Sequence, residues 1–152
     1  MMRAVFIVAL SLAVGVLAVG VMAPPAASAE TAPPAEAKGP FAYVTVAGAP
    51  GDGEDALAAA LSRQLAARGF IPATAFQANV YEVQGTVRVA AAAKGRENIT
   101  IIWVVLGPDG TQLGITRQTK DVRKGSLDKK WGPAANAAAA AAAEDIVKLI
   151  PK

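Results

Sequence analysis

Residues 81–116 read YEVQGTVRVAAAAKGRENITIIWVVLGPDGTQLGIT, and this stretch decides the fold. Tyr81, Val83, Gly85, Val87 and Val89 alternate with Glu82, Gln84, Thr86 and Arg88. A period of two puts the first set on one face of a half-buried strand and the second set on the other. Lys94, Gly95 and Arg96 mark a turn. ITIIWVVL (99–106) is rich in β-branched residues and apolar on both faces, which predicts a central strand. Gly107-Pro-Asp-Gly110 carries Pro and Gly at favourable turn positions. From Thr111 to about Asp121 the strand returns, apolar only at Leu113 and Ile115, as an edge strand would be. Three strands joined by short turns make an antiparallel meander.

The flanking segments complete the pattern. FAYVTV (41–46) predicts a first strand, and GAPGDG (48–53) is dense turn punctuation. A helix is expected over 54–68, where Leu57, Leu61 and Leu65 recur every four residues beside Ala58 and Ala60. Glu54 and Asp55 at its start and Arg68 at its end suit the helix dipole, and Gly69 suits the C′ position. Phe70 and Ile71 start a short strand that Pro72 cuts off. After a charged loop over 123–132, Pro133 opens a helix that runs through an alanine tract to Leu149. Ile146, Val147 and Ile150 form its apolar end, and Pro151 stops it. Alanine has the highest helix propensity and lets a helix approach a sheet closely. The order β-α-β-β-β-β-α predicts an α+β two-layer sandwich. Its sheet is largely antiparallel, both helices lie on one face, and a single domain covers 41–152.

Composition narrows the chemistry. The chain has 152 residues with neither His nor Cys. Imidazole metal sites, Ser-His-Asp triads and Cys-His dyads cannot be built from this chain alone. Disulfides, thiol nucleophiles and a lipid-acceptor cysteine are excluded as well. Ser62 and Ser126 lie in no nucleophile motif, and no two acids form an obvious acid–base pair. The expectation is a non-enzymatic protein with no metal and no cofactor.

LAAALSRQLAARGF (57–70), YEVQGTV (81–87) and IIWVVLGPDGTQLG (101–114) together resemble a recurring bacterial envelope module. The pattern is similar to the N-terminal domain of the TolB translocation protein, to lipoprotein activators of penicillin-binding proteins, and to curli-secretion components of the CsgG type. The resemblance spans nearly the whole domain and implies a non-enzymatic role binding another cell-envelope protein. It carries no catalytic motif. The chain departs from these groups in lacking the lipid-acceptor cysteine and the β-propeller that follows the TolB module.

Two clusters are candidate sites. Asp52, Glu54 and Asp55 sit in the glycine-rich loop before the first helix. Their spacing fails the EF-hand pattern, and the loop lacks the G-K-[ST] ending of a phosphate loop. Asp52 is instead expected to cap the helix, with Glu54 and Asp55 favouring its positive end. The second cluster is basic. Residues 30–87 carry six acids against three bases, whereas residues 88–152 carry six acids against eleven bases. Arg117, Lys120, Arg123, Lys124, Lys129 and Lys130, followed by Trp131, form the expected partner-binding surface. An exposed aromatic beside cations suits a protein contact or an anionic surface. The alternative function is small-ligand or anionic-lipid binding through this same edge and loop, 117–131. In the purely structural alternative, the charges are solvated and Trp131 pins the last helix to the core. A single aromatic in an exported protein argues against nucleic acid.

The N-terminal segment gives the expected location. Arg3 precedes an apolar run over residues 4–23, broken only by Ser11, Gly15 and Gly20. Pro24 and Pro25 follow, then the small-residue site Ala27-Ser28-Ala29. This is the order of a secretory signal over 1–29, cleaved after Ala29. ETAPPAEAKGP (30–40) then reads as a disordered linker. The apolar run is also long enough to span a bilayer core of roughly 30 Å, so an inner-membrane tether is the alternative. Either way the domain lies outside the cytoplasm, in the periplasm or beyond. N-terminal sequencing of the exported protein is expected to begin at Glu30; a sequence starting at Met1 would establish the tether instead.

Overall fold

The computed structural model describes residues 38–151, so the signal segment and most of the linker lie outside the described residues. Seven elements follow in the expected order: β1 (Phe41–Ala47), α1 (Gly53–Ala66), β2 (Ile71–Pro72), β3 (Val80–Ala92), β4 (Arg96–Leu106), β5 (Gln112–Arg123) and α2 (Gly132–Leu149). The five strands make one open sheet in the order β2-β1-β3-β4-β5. β1 pairs in parallel with both β2 and β3, while β3, β4 and β5 form the antiparallel meander. The fold is α+β with a mixed sheet. Its meander carries most of the cross-strand pairs, and its two-residue β2 shows how early Pro72 ends that edge.

One apolar cluster joins both helices to the same face of the sheet. Val44 lies beside Val83, Val83 beside Val105, and Val87 beside Ile101. These strand residues meet Leu57, Leu61 and Leu65 of α1 and Ala135, Ala139, Ala142, Ala143 and Ile146 of α2. Among the described residues the opposite sheet face carries no helix; Ile102, Val104 and Leu106 are half-buried there, and Ile115 is exposed. β4 is therefore central, as its two apolar faces predict. Gly85 sits directly across from Trp103 in the β3–β4 ladder. A Cβ at position 85 would lie 2.5 Å from Cζ3 of the indole, so the glycine makes the space that the fully buried Trp103 occupies.

Turn chemistry closes the elements. Beyond α1, Phe70 N–H donates to the Leu65 carbonyl (3.1 Å) and Gly69 N–H to that of Ala66 (3.0 Å). With Gly69 at φ 92, this is a Schellman stop, and Phe70 and Leu65 are the buried apolar pair that accompanies it. In the β4–β5 turn, the Asp109 carboxylate accepts the backbone N–H (3.0 Å) and the hydroxyl (2.8 Å) of Thr111. Those donors hold the Asp109 pKa below the usual carboxylate range. A register shift at Val105/Leu106 leaves Leu113 unpaired as β5 begins.

The two helices run the same way. α1 returns the chain between parallel strands and so opposes β1. α2 leaves the end of β5, and its own end reaches Gly114 near the start of β5, where Leu149 packs. The two N-termini meet. Asp52 stands at the N-cap position of α1, yet its carboxylate makes no cap there. It accepts instead the N–H of Trp131, the N-cap residue of α2, at 2.8 Å. This corrects the capping expectation. The physical reason is backbone geometry: Asp52 has φ −90 and ψ 12, outside the extended region a capping side chain needs. Asp52 N–H also donates to the Lys129 carbonyl (3.1 Å).

Removing this shared carboxylate unpairs a partly buried N–H and leaves two positive helix ends side by side. Asp52→Ala is expected to cost about 1–3 kcal/mol, a charged hydrogen bond's worth. Asp52→Asn keeps an acceptor and is expected to recover part of that loss, leaving a deficit of about 1 kcal/mol for the missing charge. Urea unfolding midpoints of the three proteins check the order wild type, Asn, Ala.

Candidate partner-binding edge and groove

The expected basic surface divides between two sides of β5. Strand alternation and register put Arg117, opposite Ile102, and Arg123, opposite Arg96, on the open sheet face. Lys120 lies opposite the buried Ile99 and therefore on the helix side. Lys124, Lys129 and Lys130 are exposed in the loop that follows. β5 is the outer strand of the described sheet, so alternate backbone groups along it have no strand partner among the described residues. Among the described residues the sole ion pair joins Lys148 to Asp145 at 3.2 Å. All six cations of the basic edge are therefore without an acidic partner among the described residues.

Trp131 does not belong to that surface. Its side chain is only 2% exposed. The indole N–H donates to the Pro50 carbonyl (2.9 Å), and the ring lies where a Cβ on Gly53 would fall. The expectation of an exposed aromatic is corrected: Trp131 pins the start of α2 against the 48–53 loop. Its burial follows from that neighbour, since only a glycine at position 53 admits a ring so close to α1.

The loop is tethered at both ends. Lys124 N–H donates to the Gly95 carbonyl (3.0 Å), and Gly125 N–H donates to Glu97 Oε2 (3.2 Å). At its far end the Lys129 carbonyl and Trp131 N–H both bond Asp52. The lysine side chains thus project from a fixed backbone. The acids of the facing loop have structural work: Asp52 joins the helix starts, and Glu54 accepts the Gly48 N–H (2.8 Å). Among the described residues no three acids converge as a metal site. The Ser62 hydroxyl donates to the Ala58 carbonyl (2.8 Å), as a helix serine does.

A groove of about 440 Å³ opens between α2 and the β4–β5 ladder. Ile99, Ile101, Leu127 and Trp131 form its apolar floor, and Ala134, Ala137, Ala138 and Ala141 form its helical wall. Gln118 and Lys120 stand on the strand side. The groove exists because the methyl side chains of α2 stop short of the ladder and Gln118 and Lys120 do not fill the gap. The groove is not among the features read from the sequence. The available signal was Ala134, Ala137, Ala138 and Ala141 at i, i+3, i+4 and i+7, opposite a strand whose inward positions are Gln118 and Lys120.

No family model matches the chain, and no curated protein matches it. Among solved structures, the PelC dodecamer from Paraburkholderia phytofirmans is 19% identical, with 76% of this chain and 90% of that chain covered and a TM-score of 0.49. A minor lipoprotein from Acinetobacter baumannii is 12% identical, with 71% of this chain and 89% of that chain covered and a TM-score of 0.41. Each is a partial likeness in chain path. No helix among the described residues is long and apolar enough to cross a membrane.

The burial of Trp131 sets an expected outcome. Trp131→Ala should cost about 3–5 kcal/mol, the range for emptying an aromatic core site. A urea unfolding series measures this. A loss below about 1 kcal/mol, within the range of surface changes, would return Trp131 to the exposed surface.

Proposed function

We propose that this chain is an exported, non-enzymatic accessory domain of the cell envelope, and that it holds a protein partner along β5 and the loop after it. One observation carries the reading: Arg117, Lys120 and Arg123 on β5 and Lys124, Lys129 and Lys130 in the loop after it are exposed and make no ion pair among the described residues. The tethered loop backbone keeps the lysines in place, which lowers the ordering cost of a contact. Unpaired cations steer and orient a partner of opposite charge. The unpaired edge of β5 offers main-chain donors and acceptors to an extended segment. An acidic, extended stretch of an envelope protein fits both features. The secretory pattern ending at Ala29 supports the location, and the resemblance to envelope modules supports the accessory role.

The test is site-specific photo-crosslinking in cells from position 119, on the exposed edge strand. The expected result is one acidic envelope protein, captured several-fold less when Arg123, Lys124, Lys129 and Lys130 are all replaced by Gln. Those side chains are exposed, so the thermal melt of the variant should match that of the parent. Unchanged capture would remove the partner from this surface. Salt-sensitive flotation of the domain on anionic vesicles, with no protein crosslinked, would replace the protein partner by a lipid surface.

A further inference from the structure

We infer that the groove between α2 and β5 is a binding site for a single-chain anionic amphiphile of the fatty-acid type. Its size lies within the roughly 300–1,000 Å³ typical of small-molecule sites. Ile99, Ile101, Leu127, Trp131 and the methyl groups of α2 give it an apolar trough along the helix. A trough of methyl groups offers dispersion contact to an alkyl chain and no polar group to be left unsatisfied.

The two polar residues on the strand side specify the head group. The Nε2 atom of Gln118 is buried and has no acceptor among the described residues. An N–H left so costs free energy that an incoming oxygen would recover. Lys120, two residues on along the strand and on the same side, brings an ammonium group with no ion-pair partner among the described residues. Among the described residues no carboxylate lines the groove. An amide donor and a cation at one side of an apolar trough, with no opposing acid, complement a carboxylate on an alkyl chain. The same arrangement disfavours a cationic head. A helix of a partner protein would fill the trough but leave the Gln118 amide unanswered.

The test uses the purified exported protein and dodecanoate brominated near its methyl end, kept below the concentration at which it self-associates. Bromine quenches tryptophan at contact, and Trp131 lines the trough. Saturable one-to-one quenching is expected, with no comparable effect from a dodecyl chain bearing a trimethylammonium head. Ala137→Leu/Ala141→Leu fills the trough at exposed helix positions where leucine costs little propensity, so α2 should stay intact. Binding should weaken at least about tenfold in that variant, because an overfilled cavity excludes the chain. Lys120→Glu should weaken it by a similar factor while leaving the thermal melt in place. Absent saturation, undiminished binding by the filled variant, or equal binding of the cationic amphiphile would each overturn the proposal. So would self-association of the protein that disappears in the filled variant without any fatty-acid binding, since a second copy would then own the groove. Lys120 is common to the groove and the edge, whereas Ala137 and Ala141 line the groove alone and residues 123–130 outside Leu127 belong to the edge and its loop. The filled variant and the Arg123/Lys124/Lys129/Lys130 variant therefore let the edge fail as a partner surface while the groove binds, and the reverse.

Discussion

Two helices that lie side by side and point the same way place two positive dipole ends together. This domain answers that repulsion with one carboxylate. Asp52 sits at the start of α1 and receives the first N–H of α2. The charge therefore serves both helix ends, while Glu54 and Asp55 add to the α1 side alone. Much else hangs on this junction. It fixes Trp131, whose ring needs Gly53 beneath it. It fixes the end of the basic loop, and through Trp131 it fixes one end of the groove floor. A surface loop of eight residues thereby becomes a rigid platform for lysines.

Local chemistry made the meander legible. The alternation from Tyr81 to Val89, the apolar run from Ile99 and the Pro-Asp-Gly turn each act within a few residues, and β3, β4 and β5 stand where they indicate. Gly69 is equally local: its positive φ and the buried Phe70 after it close α1. What the sequence did not disclose depends on partners far along the chain. Asp52 followed by Glu54 and Asp55 has the look of a helix cap, but its actual partner is 79 residues away. Trp131 in a charged loop has the look of an exposed anchor, and only the glycine at position 53 explains its burial. The placement of β1 between β2 and β3 likewise follows from pairings that no short window contains.

The alanine tract behaves differently on its two sides. Towards α1, Ala135, Ala139, Ala142 and Ala143 are fully or nearly fully buried, because small side chains let the helices approach closely. Towards β5 the same brevity leaves a trough, since Gln118 and Lys120 do not close it. A leucine-rich helix would have filled that space and gained stability by burying more apolar area. The domain forgoes that gain on one face, and the face it leaves open is next to its unpaired cations.

Gly85 and Trp103 occupy one volume between them. The indole fills the place of the missing side chain, so neither residue has an independent identity. Any enlargement at position 85 must displace the ring, and any contraction at position 103 must open a void beside the glycine. Among relatives of this domain, the two positions should therefore drift as a pair, with a glycine retained wherever the tryptophan is. Where the ring is lost, a larger residue should appear on β3 to compensate. This linked substitution gives a means of recognising the module in chains whose overall identity is too low to reveal it.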